Sequence, residues 1–192
     1  MPSCGGVRIQ ESGFRGWMRL SVYEQEEKMK KVGILMGSDS DLPVVEKGID
    51  VLKAYGVPIE VHVYSAHRTP LEAETFAKNA RKNGFGVIIC AAGMAAHLGG
   101  VVAANTTLPV IGLPCAAKVL NGMDALLSTV MMPPGIPVAS VGINTAKNAA
   151  LLAIEMLAVE DETLAEKLEE ERARNRAAIL EKNRAIEEKY NG

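Results

Sequence analysis

The chain has 192 residues and a mass of 20.5 kDa, with 48% hydrophobic residues, 23% charged residues and a formal net charge of −2. These values favour one soluble globular domain with a buried core and argue against disorder over most of the chain. The lack of a basic excess and the 4% aromatic content argue against a nucleic-acid partner. The apolar runs are too short for a membrane span, so no membrane partner is expected.

The first 28 residues show no sustained hydrophobic period and lack the apolar region of a signal peptide. We predict that residues 1–28 are a disordered or non-native extension without a catalytic role. The catalytic domain is expected to cover residues 29–158, because a strong apolar run begins just after Met29.

From residue 31, short apolar runs alternate with segments of helical spacing. The predicted strands are 32–36, 59–64, 87–92, 110–113 and 138–141. The predicted helices are 42–55, 70–83, 95–104, 122–131 and 146–157. Because the strands are apolar on both faces and alternate with helices, the sequence predicts a three-layer α/β/α fold around a parallel sheet of about five strands.

The C-terminal segment, residues 159–192, differs in composition. Residues 159–190 include ten acidic and seven basic residues, with a narrow apolar stripe of Leu164, Leu168, Ile179 and Ile186. This pattern predicts a long charged helix. It could be a solvated tail, but we favour packing on a neighbouring subunit because the sheet is already complete.

In an open α/β sheet, ligands bind beyond the carboxyl ends of the strands, which selects the loops 37–41, 65–69 and 93–100. In the first loop, the hydroxyls of Ser38 and Ser40 precede a helix start, where unpaired N–H groups suit a phosphate. Asp41 either caps that helix or accepts hydrogen bonds from sugar hydroxyls. The loop lacks the lysine of the GxxxxGK(S/T) motif, which argues against binding of a nucleoside triphosphate.

The second loop carries Ser65, Ala66, His67 and Arg68. The guanidinium group of Arg68 suits a phosphate or a carboxylate, and His67 can exchange protons near pH 7. His62 lies within the predicted strand and is interpreted as structural.

The third loop places Gly93, Ala95, His97 and Leu98 among small residues that allow close approach of a ligand. A tightly packed helix beside a subunit interface, with His97 bonded to backbone, is an equally good interpretation. The three loops together favour proton transfer on a phosphorylated small molecule without a cofactor.

The three cysteines, Cys4, Cys90 and Cys115, are widely spaced, and the last two lie in apolar runs typical of a core. They favour neither a disulfide framework nor a metal site. We therefore expect no metal and a reducing, cytoplasmic location.

Several motifs in register identify a family. They are GSDSD at 37–41, SAHRTP at 65–70, AAHL at 95–98, PVIGLP at 109–114, MPPGIPVA at 132–139 and KNAA at 147–150. Over about residues 31–158 the chain resembles the N5-carboxyaminoimidazole ribonucleotide mutase (PurE) family of de novo purine synthesis. The resemblance implies a flavodoxin-like subunit, a homo-octamer with active sites between subunits, and a C-terminal helix that reaches a neighbour.

The implied reaction moves a carboxylate from the exocyclic nitrogen of an aminoimidazole ribonucleotide to ring carbon C4, without ATP, metal or biotin. By the same resemblance, Ser38, Ser40, Ser65 and Arg68 hold the phosphate, Asp41 binds the ribose hydroxyls and His67 is the general acid and base. The region around His97 encloses the carboxylate, with Ala66, Gly93, Ala95 and Leu98 as further substrate-binding positions.

The sequence departs from the family pattern at a few positions. Ala91 and Met94 replace glycines, Gly99 replaces a proline, and the stretch that ends at Lys118 lacks a common hydroxyl. The retained Ala-His-Leu run around His97 favours the mutase over the related carboxylase class, which uses free carbon dioxide. A non-catalytic nucleotide-binding or assembly protein is the third alternative.

Overall fold

The computed structural model describes residues 29–191, so the predicted N-terminal extension lies outside the described residues. Its five parallel strands are β1 Lys31–Met36, β2 Ile59–Val63, β3 Phe85–Gly93, β4 Val110–Cys115 and β5 Ala139–Ser140. They form one sheet in the order β2-β1-β3-β4-β5, which is the flavodoxin-like order. The predicted parallel sheet of five strands is therefore confirmed.

The helices cover both faces of this sheet. They are α1 Leu42–Tyr55, α2 Pro70–Ala80, α3 Leu98–Ala104, α4 Met123–Val130, α5 Ala146–Ala158 and α6 Glu162–Tyr190. Buried side chains of α1, α5 and the start of α6 form one core cluster with one face of the sheet. Those of α2, α3 and α4 form the other, which confirms the three predicted layers.

Small residues bring α1 and α5 close together. Ala146, Ala149, Ala150 and Ala153 are all buried. A Cβ atom on Gly48 of α1 would stand 2.7 Å from the carbonyl oxygen of Ala146, so only glycine fits there without a shift. The alanine-rich pattern of α5 is thus the consequence of a close helix crossing.

Several predicted boundaries were wrong at the loops. α3 begins at Leu98 rather than at residue 95, because Met94 adopts a left-handed φ of 56° and a turn follows it. α2 ends at Ala80 and leads through a turn to Gly84, whose φ is 82°. β5 has two residues rather than four, because only Ala139 and Ser140 pair with β4.

The last helix is attached to the domain only near its beginning. Asp161 accepts a hydrogen bond from the Leu164 amide at 3.0 Å, and the Leu164 side chain is fully buried. Lys167 Nζ donates to the Tyr55 carbonyl at 2.9 Å, and the Tyr55 hydroxyl donates to Glu171. From residue 173 to residue 191 every side chain is exposed.

None of the described helices has the length and apolar character needed to cross a membrane.

Candidate active site

A cleft of about 670 Å³ lies at the carboxyl ends of the strands. The strand order reverses between β1 and β3, which is where flavodoxin-like sheets bind ligands. The structure brings all the site residues predicted from the sequence to the lining of this cleft: Ser38, Ser40, Asp41, Ser65, Ala66, His67, Arg68, Gly93, Ala95, His97 and Leu98.

The loop after β1 presents two hydroxyl groups. Ser38 Oγ accepts hydrogen bonds from the Ser40 amide at 3.3 Å and from the Ser40 hydroxyl at 2.9 Å. The Ser38 hydroxyl itself donates to Asp39 Oδ1 at 3.2 Å. These bonds close a 3-10 turn, Asp39–Asp41, ahead of α1 and fix both serines at the lining of the cleft.

Asp41 stands at the start of α1, but its side chain makes no capping hydrogen bond to the helix. Partial burial raises the pKa of its carboxyl group, while a hydrogen bond to the Ser38 backbone and the charge of Arg68 act in the opposite direction. Of the two roles left open by the sequence, the helix cap is not observed, and the carboxylate remains available to hydroxyl groups in the cleft.

The loop after β2 is organised around Ser65, which is buried. Its Oγ accepts hydrogen bonds from the amides of His67 at 3.3 Å and Arg68 at 3.2 Å. The Ser65 amide donates to Thr69 Oγ1 at 2.7 Å. Ser65 therefore shapes the start of α2, and the exposed His67 and Arg68 side chains line the cleft.

Arg68 connects two loops of the cleft. Its Nη2 donates to the Gly37 carbonyl at 2.7 Å, which joins the loop after β2 to the loop after β1. Because a guanidinium group has five N–H donors, this contact leaves donors for an anion.

The two histidines of the cleft contact each other. His67 Nε2 lies 3.0 Å from His97 Nδ1, and the rings meet edge to face at an angle of 80°. In a neutral pair one nitrogen donates and the other accepts, so one proton lies between them. The Nδ1 atom of His97 therefore contacts a side chain rather than backbone. The pair places a group that exchanges protons at the cleft surface.

The loop after β3 forms a wall of small residues. A Cβ atom on Gly93 would lie 3.2 Å from the Cys115 carbonyl oxygen, so this strand end packs tightly on β4. Met94, at a position where the family pattern has glycine, is 67% exposed at the cleft and holds a left-handed backbone. Leu98 is buried and begins α3.

Sequence reasoning missed one side of the cleft. The lining also includes Gly37, Ala92, Met94, Ala116, Ala117 and Lys118. The last three follow β4, whose carboxyl end lies on the same edge as the other strands. The signal was available, since the rule that selected three loops applies equally to the loop after the fourth strand.

The two cysteines among the described residues and the third histidine lie outside this chemistry. Cys90 and Cys115 are buried, and burial raises the pKa of both thiols, that of Cys115 to about 12. His62 lies in β2 and does not line the cleft. Within residues 29–191, no group of three or more histidine, cysteine, aspartate or glutamate side chains could hold a metal ion.

Known proteins resemble this chain over most of its length. A sequence profile for the family described as AIR carboxylase matches residues 31–178. A Pyrococcus abyssi protein named N5-carboxyaminoimidazole ribonucleotide mutase is 56% identical over 144 residues, which are 75% of this chain and 83% of that protein. A Saccharomyces cerevisiae phosphoribosylaminoimidazole carboxylase is 49% identical over 156 residues, which are 81% of this chain and 27% of that protein.

The fold comparison agrees with the sequence comparison. The crystal structure of Treponema denticola PurE has a TM-score of 0.76 at 30% identity, and the match covers 82% of this chain and 98% of that chain. These findings confirm the resemblance carried by the sequence motifs. Since the family profile spans more than half of its residues, the chain belongs to the AIR carboxylase family.

Proposed function

We propose that the chain is an N5-carboxyaminoimidazole ribonucleotide mutase, an isomerase of purine biosynthesis. The observation that carries this proposal is the His67–His97 pair at 3.0 Å, placed in one cleft with Asp41 and Arg68. The names of relatives at about half identity support the same activity. Such a site offers proton exchange beside groups that suit a phosphoribosyl ligand.

The phosphate end of the substrate binds at the loops after β1 and β2. Ser38, Ser40, Ser65 and Arg68 supply hydroxyl and guanidinium donors there. The half-buried Asp41 carboxylate accepts hydrogen bonds from the ribose hydroxyls. Ala66, Gly93, Ala95, His97 and Leu98 enclose the ring and its carboxylate.

His67 carries the proton in both halves of the reaction. It donates a proton to the exocyclic nitrogen as the nitrogen–carbon bond of the carbamate breaks, which releases carbon dioxide into the cleft. The electron-rich C4 then attacks the carbon dioxide and forms the new carbon–carbon bond. His67 takes the C4 proton, which restores the aromatic ring and the starting protonation state. Retention of carbon dioxide in the cleft replaces a bimolecular encounter.

The assay is direct. Purified protein is mixed with N5-carboxyaminoimidazole ribonucleotide in EDTA without ATP, and formation of 4-carboxy-5-aminoimidazole ribonucleotide is followed by absorbance. We expect turnover under these conditions. Binding of the nucleotide by calorimetry with no turnover would instead identify a non-catalytic binding protein and overturn the proposal.

The carboxylase class is the second candidate, and the relatives from yeast and from Vigna aconitifolia that are named carboxylase favour it. It predicts efficient product formation from aminoimidazole ribonucleotide and bicarbonate, with no carbamate supplied. We expect the carbamate to be the far better substrate. Equal or faster turnover from bicarbonate would assign the chain to the carboxylase class.

A homo-octamer with active sites between subunits is part of the proposal, and an exposed apolar surface at the end of α4 supports a subunit contact beside the cleft. Leu127 and Met131 are 53% and 77% exposed, and both line a second cavity that shares His97 with the cleft. An apolar surface of this kind is typical of a subunit interface. We assign residues 29–158 to the catalytic domain and residues 159–192 to a C-terminal helix. The start of this helix packs on its own domain, and we propose that its exposed remainder packs on a neighbouring subunit. A cytoplasmic location is part of the same proposal.

Sedimentation velocity tests the assembly. The wild-type protein is expected to sediment as an octamer, and Met131→Glu to form smaller species, because a charge at the interface loses its hydration. Glu46→Gln, on the exposed face of α1, is the control and keeps the wild-type mass. A wild-type monomer with full activity would contradict the proposed assembly.

A further inference from the structure

The loop after β4 brings a second positive charge to the cleft. Among the residues that line the cleft, only Arg68 and Lys118 carry a fixed positive charge. Arg68 is assigned to the phosphate, whereas Lys118 has no role in the proposed function as described so far. Its side chain is exposed, so its ammonium group is open to a ligand.

The two cations stand on opposite sides of the cleft. Arg68 follows β2 and Lys118 follows β4, and the strands between them are β1 and β3. With neighbouring strands about 4.8 Å apart, three steps separate the two strand ends by about 14 Å. Arg68 Nη2, however, donates to the Gly37 carbonyl at the end of β1, so its charge lies two strand steps, or about 10 Å, from the end of β4. The cleft therefore suits a ligand with two separate anionic groups, one towards each cation.

The loop that carries Lys118 is fixed at its start. The Ala116 amide donates to Asn144 Oδ1 at 2.9 Å, and the Asn144 amide donates to the Pro114 carbonyl at 2.9 Å. These bonds attach the loop to the segment that follows β5.

The loop is also constrained at its end. Leu120, Asn121 and Gly122 have successive left-handed φ values of 58°, 50° and 86°. Non-glycine residues in this region cost free energy and persist only where the surroundings hold them. A Cβ atom on Gly122 would stand 2.7 Å from Ile143 Cγ2, which shows how tightly this turn is packed.

We propose that Lys118 is a substrate-binding residue that holds the carboxylate of the nucleotide, at the end of the cleft opposite to the phosphate. This inference rests on the proposed function and adds a residue to it. The ammonium group pairs with the carbamate of the substrate and with the carboxylate of the product. It also holds the one-carbon unit near C4 during transfer.

The experiment compares two ligands that differ only in the carboxylate. Calorimetry measures the Kd of 4-carboxy-5-aminoimidazole ribonucleotide and of aminoimidazole ribonucleotide, which lacks the group. For Lys118→Met we expect at least tenfold weaker binding of the carboxylated nucleotide and less than a twofold change for the other. Lys118→Arg keeps most of the affinity, because it keeps the charge.

Two further variants locate the effect. Arg68→Met weakens the binding of both nucleotides, since both carry the phosphate. Lys82→Met, in the turn before β3 at the other end of the strands, changes neither. Each variant is first checked for a wild-type melting temperature.

The failures of the two proposals are distinguishable. If wild-type protein converts the carbamate substrate but Lys118→Met binds both nucleotides like wild type, or weakens both equally, the assignment of Lys118 is overturned alone. If wild-type protein binds neither nucleotide, the proposed function is overturned and the assignment of Lys118 with it.

Discussion

Two regions of the molecule use histidine in different ways. In the cleft, His67 and His97 contact each other, and both rings are exposed. On the edge strand β2, His62 Nε2 lies 2.9 Å from Glu60 Oε1, and the His62 ring stacks on Tyr64 with 4.8 Å between centroids. Among the described residues, only the His62 ring has a carboxylate within ion-pair distance.

The difference shows that position decides what a histidine can do. His62 lies within β2, and its ring contacts the Glu60 carboxylate and the rings of Tyr64 and Phe76. His67 lies just past the end of the same strand, where the chain leaves the sheet and the side chain reaches the cleft. The carboxyl end of a strand provides open space that the body of the strand does not.

The largest expected effect on kcat comes from replacing His67, compared with the same replacement of His62. His67→Asn should lower kcat by about a thousandfold, since general acid–base catalysis contributes about 10²–10⁴. His62→Asn should keep kcat within about twofold. Steady-state kinetics of the two variants measures the contrast directly. Equal losses in the two variants would show that position along the strand is not what separates these residues.

The second imidazole of the cleft should matter less than the first. His97→Asn removes the ring that contacts His67, and we expect kcat to fall about fivefold, because one hydrogen bond contributes about 1 kcal/mol. The decrease should appear in kcat rather than in the melting temperature, since His97 is exposed. Unchanged kcat would mean that the His67–His97 contact has no role in proton transfer.

The contrast between strand and loop also explains what the sequence predicted well. The strands and α1 follow from uninterrupted apolar runs and regular spacing, and α1 was predicted at its observed bounds. Those elements bury their side chains in the two core clusters, so hydrophobicity alone carries the signal. The cleft residues were found because polar side chains followed buried strands.

The sequence could not predict features that depend on tertiary contacts. The His67–His97 contact joins residues thirty positions apart, and no local pattern encodes it. The start of α3 was missed because a left-handed Met94 breaks the helical spacing of Ala95 and its neighbours. Lys118 was noted only as part of a departure from the family pattern, since a lysine in a loop is usually just solvated.

Met94 gives a third test of the difference between loop and strand, because its left-handed backbone in the cleft loop carries conformational strain that the strands lack. A left-handed methionine costs about 1–2 kcal/mol relative to glycine, and the greater freedom of glycine in the unfolded chain offsets part of this. Met94→Gly should therefore raise the free energy of unfolding by about 0.5–1 kcal/mol, measured by urea denaturation. Met94→Ala retains the strain and is the control. A destabilised glycine variant would mean that the Met94 side chain contributes more than its backbone costs.

The smallest expected effect lies at the edge strand. The pKa of Glu60 is lowered by its hydrogen bonds to His62 and Lys31, so the folded state favours the ionised carboxylate. This stabilisation is present above the ordinary pKa of 4.5 and is lost as the pH falls through the lowered value. Glu60→Gln should therefore be less stable than wild type at pH 7, and the difference should shrink as the pH falls below 4.5 and through the lowered pKa.

Because the Glu60 side chain is 43% exposed, the difference at pH 7 should be well under 1 kcal/mol. Urea denaturation at pH 7 and at pH 3.5 measures it, with Glu46→Gln as the control for loss of an exposed carboxylate. A pH-independent difference would show that Glu60 acts through packing rather than through its charge. His62 would then be held by its stacking on Tyr64 and its edge contact with Phe76, and the two histidine regions would differ in open space rather than in charge.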